Sequence, residues 1–379
     1  MTKIALAFVA AMALLAAQEA PKKVAKDQAE ADLINGITKE PDGAKRLANL
    51  EKWSKDYPET AFSDERDEIY LATYQQLNKA REAFDKSQQI LAKHPDNFMA
   101  LSTTIAYVPF LNNGNPAPGD LDTAEKASNH VINDADSVFA DKNKPANQTA
   151  DQWGKMKPTM VALAQKTIGF VYFQKKDWPR AETELTKALK LDPTQAQSSY
   201  MLANALFSQR QQSPAKQPPS IFEFARAAVY DGPNALPAQL RGQINTSVTK
   251  TYKAYHGSDE GLDKLLAMAK TNALPPDGWT IASTADIARV QAEKEAAEAA
   301  ANPMLTMWKT IKSGLTGDNP DGFFQGSVKD AALPGGANGV TKFKGKLIST
   351  KPELRPKELL ISVGGGDTAD CMLKLAEGQ

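Results

Sequence analysis

Cysteine and histidine, which often act as nucleophiles, acid–base groups or metal ligands, are few and far apart in this sequence. Cys371 is the only cysteine, which excludes an intrachain disulfide, and no histidine lies near it to activate a thiolate. We interpret it as a half-buried strand residue. The three histidines, His94, His130 and His256, are scattered along the chain. This spacing does not suit a histidine-based metal site, although carboxylates remain possible cation ligands.

Two segments have the composition of a ligand-binding loop without its spacing. Gly364-Gly365-Gly366 lacks the GxGxxG pattern and the Lys-Ser/Thr pair of phosphate-binding loops, so we interpret it as a turn. The Asp-Asn-Pro-Asp-Gly segment at 318–322 lacks the spacing and the distal glutamate of a calcium loop. The hydrolase and metalloprotease motifs GxSxG and HExxH do not occur. The sequence therefore predicts no cofactor, no metal and no catalytic residue.

The overall charge argues against nucleic acid as a partner. The 379 residues contain 45 basic and 45 acidic side chains. A balanced charge provides no electrostatic attraction toward a phosphate backbone or an anionic membrane surface. We therefore expect a protein or peptide partner rather than a nucleic acid, and the oligomeric state stays open.

The N-terminus predicts export. Lys3 precedes fourteen consecutive apolar residues from Ile4 to Ala17, a run that is short for a membrane span and typical of a signal peptide. Residues 1–20 are therefore predicted to be a signal peptide, with an uncleaved anchor or a buried N-terminal helix as the alternative. No other apolar run approaches span length, so we expect no membrane span in the mature chain. Such a chain would be periplasmic or extracellular.

A helix–turn–helix pattern is clearest at residues 162–194. Gly169 and Ala181 are small where two helices must approach closely, and Leu185 is large enough to fill the space between them. Pro193 ends the second helix, because proline cannot continue a helix and also restricts the residue before it. The pattern predicts two closely packed helices joined by a short turn.

This segment resembles the tetratricopeptide repeat, a 34-residue helix–turn–helix unit. Gln165 replaces the usual tryptophan at position four. The same frame recurs from Asp64, from Phe98 and from Ala196. Counted from Ala162, the characteristic positions of the family are filled by Ile168, Gly169, Tyr172, Ala181, Leu185, Ala188 and Pro193.

The resemblance implies a mainly α fold, a right-handed superhelix of antiparallel helix pairs. The alternating apolar and polar residues near the end of the chain add a small C-terminal β-module to this prediction. The repeats would cover residues 21–278. Atypical terminal units would cap the stack, namely a helix at 44–58 preceded by a degenerate first helix, and a helix pair at 240–270. Residues 279–334 are predicted to form connecting helices and a loop, and residues 335–379 the β-module. Proline and glycine predict irregular loops at Asn112–Gly119 and Gln211–Pro219. Predicted strands are Val340–Thr350, Leu359–Val363 and Cys371–Leu375.

The resemblance also implies a set of binding residues. Positions two, five, nine, twelve and thirteen of each tetratricopeptide repeat face a concave groove. Lys166 suits the carboxylate clamp of chaperone adaptors, but Phe170 occupies a position where that clamp needs asparagine, so specificity for a C-terminal carboxylate is rejected. The alternative is that the aromatic residues pack on a neighbouring helix. The implied groove residues are Leu163, Lys166, Phe170, Phe173, Gln174, Gln197, Tyr200, Asn204, Phe207 and Ser208.

Two functions follow from this organisation. The first is a non-catalytic scaffold of the bacterial cell envelope that binds a protein or peptide in the groove of its repeats. The alternative is an envelope enzyme or enzyme subunit that the repeats only position. The β-module would then have to carry the chemistry, and it holds no histidine and few acidic residues.

Overall fold

The computed structural model describes residues 23–145, 147–332 and 340–376. The predicted signal peptide at 1–20 lies outside these residues. Contacts divide the chain into two units, one ending at Ile281 and one starting at Ala282. The mainly helical fold with a small C-terminal sheet is confirmed, since the described residues form 16 α-helices and one three-stranded sheet.

The first unit is entirely helical in its described residues. Short 3-10 turns at Val108–Gly114, Asp141–Asn143 and Pro214–Lys216 lie between some of its helices. The helices are α1 Gln28–Lys39, α2 Gly43–Asp56, α3 Ser63–Gln76, α4 Ala80–Lys93, α5 Phe98–Tyr107, α6 Pro118–Asn133, α7 Ala135–Val138, α8 Ala150–Gln174, α9 Trp178–Leu191, α10 Ala196–Gln209, α11 Gln217–Val229, α12 Ala238–His256 and α13 Leu262–Thr271.

Consecutive helices pack on one another, most closely α8 on α9 and α10 on α11. In the first of these pairs Gly169 is buried directly against Leu185. A Cβ atom at Gly169 would lie 2.6 Å from Leu185 Cδ2 and 3.2 Å from the Leu185 backbone nitrogen. Ala181 and Leu185 themselves are fully buried. The small residues therefore do set the approach of these two helices, as their spacing predicts.

Helix α8 starts twelve residues before the repeat frame that begins at Ala162. Its N-terminus has a capping box, in which Thr149 and Gln152 bond each other's backbone amides. The helix continues through Pro158, whose ring removes the hydrogen bond to the carbonyl of Gly154 four residues earlier. Gly154 is exposed, so water can solvate that carbonyl. The repeat frame alone does not predict this early start, although Thr149 has a side chain typical of a helix N-cap.

The two proline-rich segments are more ordered than the prediction of irregular loops allows. Asn112 and Asn113 adopt left-handed backbone angles within a 3-10 turn, and α6 already begins at Pro118. In the second segment, Pro218 and Pro219 lie in the first turn of α11. Proline is tolerated there because the first amides of a helix have no intrahelical partner. Only short stretches of each predicted loop are irregular.

Helices α12 and α13 form where the sequence places them, and both pack on α11. Val248, Tyr252 and Leu265 enter the same hydrophobic cluster as Phe222 of α11. The Tyr252 hydroxyl donates to the carbonyl of Glu260 at 2.6 Å, which fixes the turn between the two helices. Helix α11 is therefore the common neighbour of the helices that surround it.

The second unit combines helices with an antiparallel sheet in the order β1-β2-β3. The strands run opposite to one another, with Leu347 opposite Ile361 and Leu359 opposite Leu373. A bulge between Leu347 and Ser349 interrupts the first pairing. The elements are α14 Thr284–Ala301, α15 Pro303–Thr316, α16 Pro320–Phe323, a π turn Phe324–Val328, β1 Lys346–Lys351, β2 Glu358–Ser362 and β3 Cys371–Lys374.

Asp370 connects this sheet to α15. Its carboxylate accepts from Lys312 Nζ at 2.6 Å, from the Gly364 amide at 3.1 Å and from the Ser362 hydroxyl at 3.2 Å. These bonds lower the pKa of Asp370 to about 2, and the bond from the Lys312 ammonium makes the largest contribution. The rings of Trp308 and Phe343 add an edge-on contact with centroids 5.8 Å apart. These contacts dock the sheet on α15, and β3 pairs only with β2 among the described residues.

Replacing Gly169 by leucine should destabilise the first unit by about 1–3 kcal/mol, because the new side chain must displace Leu185 and its backbone. Thermal unfolding would measure the loss. Gly154→Ala is a matched control in the same helix, since nothing lies within 4 Å of a Cβ atom there. That variant should unfold at the wild-type temperature or above it. Equal melting temperatures for wild type and Gly169→Leu would contradict the packing described for α8 and α9.

Asp370→Asn should loosen the sheet from α15, because the amide cannot replace the carboxylate opposite Lys312. Backbone amides of β2 and β3 should exchange with solvent faster in this variant. Asp367→Asn is the control, since Asp367 pairs with Lys346 but is 96% exposed. In the wild type the contribution of Asp370 to stability is present above its ordinary pKa of 3.8 and lost as the pH falls through about 2. Unchanged amide exchange in Asp370→Asn would show that this carboxylate does not hold the sheet on α15.

Candidate functional site

The predicted groove residues lie on α8 and α10, and several of them pack against the hydrophobic core. Leu163 packs on the cluster that contains Trp153 and Met160. Phe170 and Phe173 are half-buried against the cluster formed by α9 and α10, and the Phe173 ring meets Trp178 edge-on at 5.7 Å. Packing between helices therefore accounts for a large part of the surface of these side chains.

The polar groove residues of α8 contact neighbouring turns. Lys166 Nζ donates to Gln195 Oε1 at 2.9 Å. Burial lowers the pKa of the Lys166 ammonium, and the nearby Asp192 carboxylate opposes this shift. Gln174 Nε2 donates a long bond of 3.4 Å to the carbonyl of Gly114. These contacts hold both side chains along the surface of the helix.

The groove residues of α10 form a row of aromatic rings with α11. The ring of Phe224, on α11, lies between Tyr200 at 5.9 Å and Phe207 at 6.3 Å, in edge-on geometry on both sides. All three residues are half-buried, so part of each remains accessible to solvent. Asn204 lies between the two α10 rings in sequence, and its amide donates to the Tyr200 carbonyl at 2.7 Å. We call Tyr200, Phe224 and Phe207 the aromatic row.

Two further groove positions lie beside the aromatic row. Gln197 is exposed on the first turn of α10. Ser208 is exposed near the end of the helix, and its hydroxyl donates to the carbonyl of Asn204 at 2.8 Å. The structure thus brings the predicted α10 residues together along one surface of that helix.

Arg210 places a positive charge at the end of the aromatic row. The carbon of its guanidinium lies 3.5 Å from the centroid of the Phe207 ring, and Nη1 donates to the Phe207 carbonyl at 2.7 Å. No carboxylate among the described residues pairs with it. A guanidinium stacked on a ring keeps its remaining N–H groups available for a carboxylate or a carbonyl. The repeat pattern does not mark Arg210, because this residue follows the last groove position of α10.

Arg226 holds the helix that carries Phe224. Arg226 is only 2% exposed, and its buried guanidinium donates to three backbone carbonyls. Nη1 reaches Ala269 at 3.0 Å and Lys270 at 3.2 Å, and Nη2 reaches Pro193 at 2.6 Å. These carbonyls lie in the last turn of α13 and just beyond α9, where helix ends leave carbonyls without an intrahelical partner. The position of α11 is therefore fixed from two sides.

His130 lies in an arrangement that superficially suits acid–base chemistry. Its Nε2 is 2.8 Å from Asp96 and its Nδ1 is 3.1 Å from Asp134, while the Ser137 hydroxyl donates to the other oxygen of Asp96. With both ring nitrogens bonded to carboxylates, the imidazole has no free nitrogen with which to accept a proton from the serine. The contacts join the end of α6 to the turn before α5.

The described residues contain neither a metal-binding cluster nor a helix that could cross a membrane. No group of three or more His, Cys, Asp or Glu side chains in the described residues is placed to hold a metal ion. Among the described helices, none combines the length and the apolar character needed to cross a bilayer. Comparison of the chain with protein-family models, with curated proteins and with solved structures gave no match.

Arg226→Met should lower the free energy of unfolding of the first unit by about 2–4 kcal/mol, because three carbonyls lose a charged donor. Arg180→Met is the control, since its side chain is 63% exposed and its ion pair with Asp177 is local. Chemical denaturation would compare the two variants with the wild type. A loss no larger than that of the control would show that the buried guanidinium does not hold α11.

Proposed function

We propose that this chain is a non-catalytic scaffold that binds a protein or peptide partner along the aromatic row and Arg210. The observation that carries the proposal is the arrangement of three half-buried rings in succession, ending at a guanidinium with no ion-pair partner among the described residues. Aromatic and arginine side chains are the residue types that contribute most to binding energy at protein interfaces. Rings already held by their neighbours also lose little conformational freedom on binding.

The partner surface that fits this face is an apolar segment followed by an acidic side chain. Apolar residues would cover the exposed edges of Tyr200, Phe224 and Phe207. A carboxylate would then reach the free edge of the Arg210 guanidinium, where a charge-assisted hydrogen bond is stronger than a neutral one. The proposal of a tetratricopeptide-type superhelix is supported by helix starts at Ser63, Phe98 and Ala196, each within one residue of the repeat frame.

Location in the bacterial cell envelope is part of the same proposal. It depends on the sequence from Lys3 to Ala17, which has the charge and the apolar run of a signal peptide. A neutral chain charge is compatible with partners of either sign. The local charge at Arg210, rather than the net charge, would then select the partner.

A displayed library of random peptides, selected on the full chain lacking residues 1–20, tests the proposal. Selected peptides should combine apolar residues with an acid, and calorimetry should give their affinities. The double variant Tyr200→Ala/Phe207→Ala should lose about tenfold or more in affinity while keeping its helical content. Phe110→Ala is the control, because Phe110 is also a large exposed ring, at 57%, but lies outside the aromatic row.

Arg210→Gln separates the charge from the rings. This variant should weaken acidic peptides by several-fold, and the loss should shrink as salt is added, because exposed charges are screened. Peptides whose acid is replaced by an amide should bind wild type and Arg210→Gln equally. Selection of no peptide, or equal binding by the double variant and the wild type, would refute the aromatic row as a binding face.

A further inference from the structure

The outer edge of β3 pairs with no strand among the described residues. On its inner side, Leu373 lies opposite Leu359 and Lys374 opposite Glu358 of β2, in a register that runs without a bulge. Both Met372 and Leu373 are exposed, although they are large and apolar. A regular edge strand with exposed apolar side chains is able to pair with a further strand.

The backbone groups on this outer edge belong to alternate residues. The Leu375 amide donates to the Lys357 carbonyl of the neighbouring strand segment at 2.8 Å. Successive residues of a strand direct their backbone groups to opposite sides, so Leu373 also faces β2. The amides and carbonyls of Met372 and Lys374 therefore face outward, where an added antiparallel strand would bond them.

The charged side chains on one face of the sheet indicate which strand fits this edge. Residues opposite one another on paired strands project from the same face. Glu358 lies opposite Lys351 of β1 and opposite Lys374 of β3, so the row alternates in charge. An acid is the favourable residue beyond Lys374, and a base is favourable beyond Asp370. Read antiparallel to β3, the fitting strand is an acid, three apolar residues and a base.

That order is the order of β3 itself together with the residue before it. The segment Asp370–Lys374 reads Asp-Cys-Met-Leu-Lys. Two copies laid antiparallel about Met372 place Lys374 of each copy opposite Asp370 of the other. The two Met372 residues then bond each other's outward amides and carbonyls, and each Lys374 amide reaches the Asp370 carbonyl. The Asp370 amide is not required, because it already donates to the Ile361 carbonyl at 2.8 Å.

The other edge of the sheet, formed by β1, lacks this self-complementarity. A bulge between Leu347 and Ser349 interrupts the strand, and bulges protect edges against further pairing. The strand begins with Lys346 and ends with Lys351, so a second antiparallel copy would set lysine against lysine. Of the two edges, β3 is therefore the one that fits a second copy of this chain.

We propose that two copies of this chain associate through β3, antiparallel about Met372, and join their three-stranded sheets into one. The Asp370 carboxylate accepts three bonds within its own copy and has capacity for one more, from Lys374 of the other copy. The paired segment is short, so the interface is small and the dimer is weak and concentration-dependent. This association does not involve the aromatic row.

Sedimentation velocity tests the association on the full chain lacking residues 1–20, in excess reductant so that no disulfide forms at Cys371. A monomer–dimer equilibrium should appear between about 10 µM and about 1 mM. Met372→Lys should weaken the dimer about tenfold or more, because two lysines would then lie opposite each other at the two-fold axis. Leu347→Lys is the matched control, since it adds the same charge to the other edge strand at a residue of similar exposure, 54% against 46%. It should associate like the wild type.

Amide exchange on the wild type identifies the edge that is used. The amides of Met372 and Lys374 should exchange more slowly as the protein concentration rises, while exchange in β1 stays constant. Lys374→Gln should weaken the dimer by several-fold, and this loss should shrink as salt is added.

A monomer at every concentration would overturn the proposal. So would a dimer in which the Met372 and Lys374 amides gain no protection, or one that Leu347→Lys weakens as much as Met372→Lys does. The exchange measurement is made on wild-type protein, so it decides the question even where Met372→Lys disturbs the sheet.

Discussion

The buried guanidinium of Arg226, on α11, joins this helix to the end of α13 and to the turn after α9. Helix ends leave carbonyl groups that must find donors, and here carbonyls just after α9 and at the end of α13 share one buried side chain. Arginine suits this role because its planar group presents several donors in fixed directions. A buried charge of this kind is held by all of its bonds together, so loss of any one changes the balance at the others.

The same helix that is fixed by Arg226 also carries Phe224, the central ring of the aromatic row. The binding face is therefore built on a helix with buried contacts on several sides rather than on a loop. Binding surfaces on such elements are presented in one geometry before the partner arrives. Phe224, which is half-buried, and Arg226, which is buried and bonded to three carbonyls, lie only two residues apart on this helix.

Local chemistry explains which parts of the fold could be predicted from the sequence. Gly169, Ala181 and Pro193 act on neighbours within one helix pair, so their spacing alone predicted how α8 meets α9. The role of Arg226 depends on helices that are distant along the chain, and nothing in the local sequence pattern indicates such contacts. The start of α8 lies outside the repeat frame, and the side chains of the capping residues Thr149 and Gln152 are what indicate it. The half-burial of Phe170 and Phe173 depends on how neighbouring helices pack, which one repeat cannot determine.

Helix α8 belongs to two hydrophobic clusters at once. Its first half contributes Trp153 and Met160 to the cluster around Phe98, and its second half contributes Val171 to the cluster around Phe84. A single continuous helix thus crosses the boundary that a 34-residue period would place at Ala162. For this reason the array is not a set of interchangeable modules at that point. An exchange of repeats by recombination or engineering would keep both clusters intact only if the crossover point lay in the turns before Thr149. An internal duplication that begins at Ala162 would copy the second half of α8 without the cluster on which its first half packs.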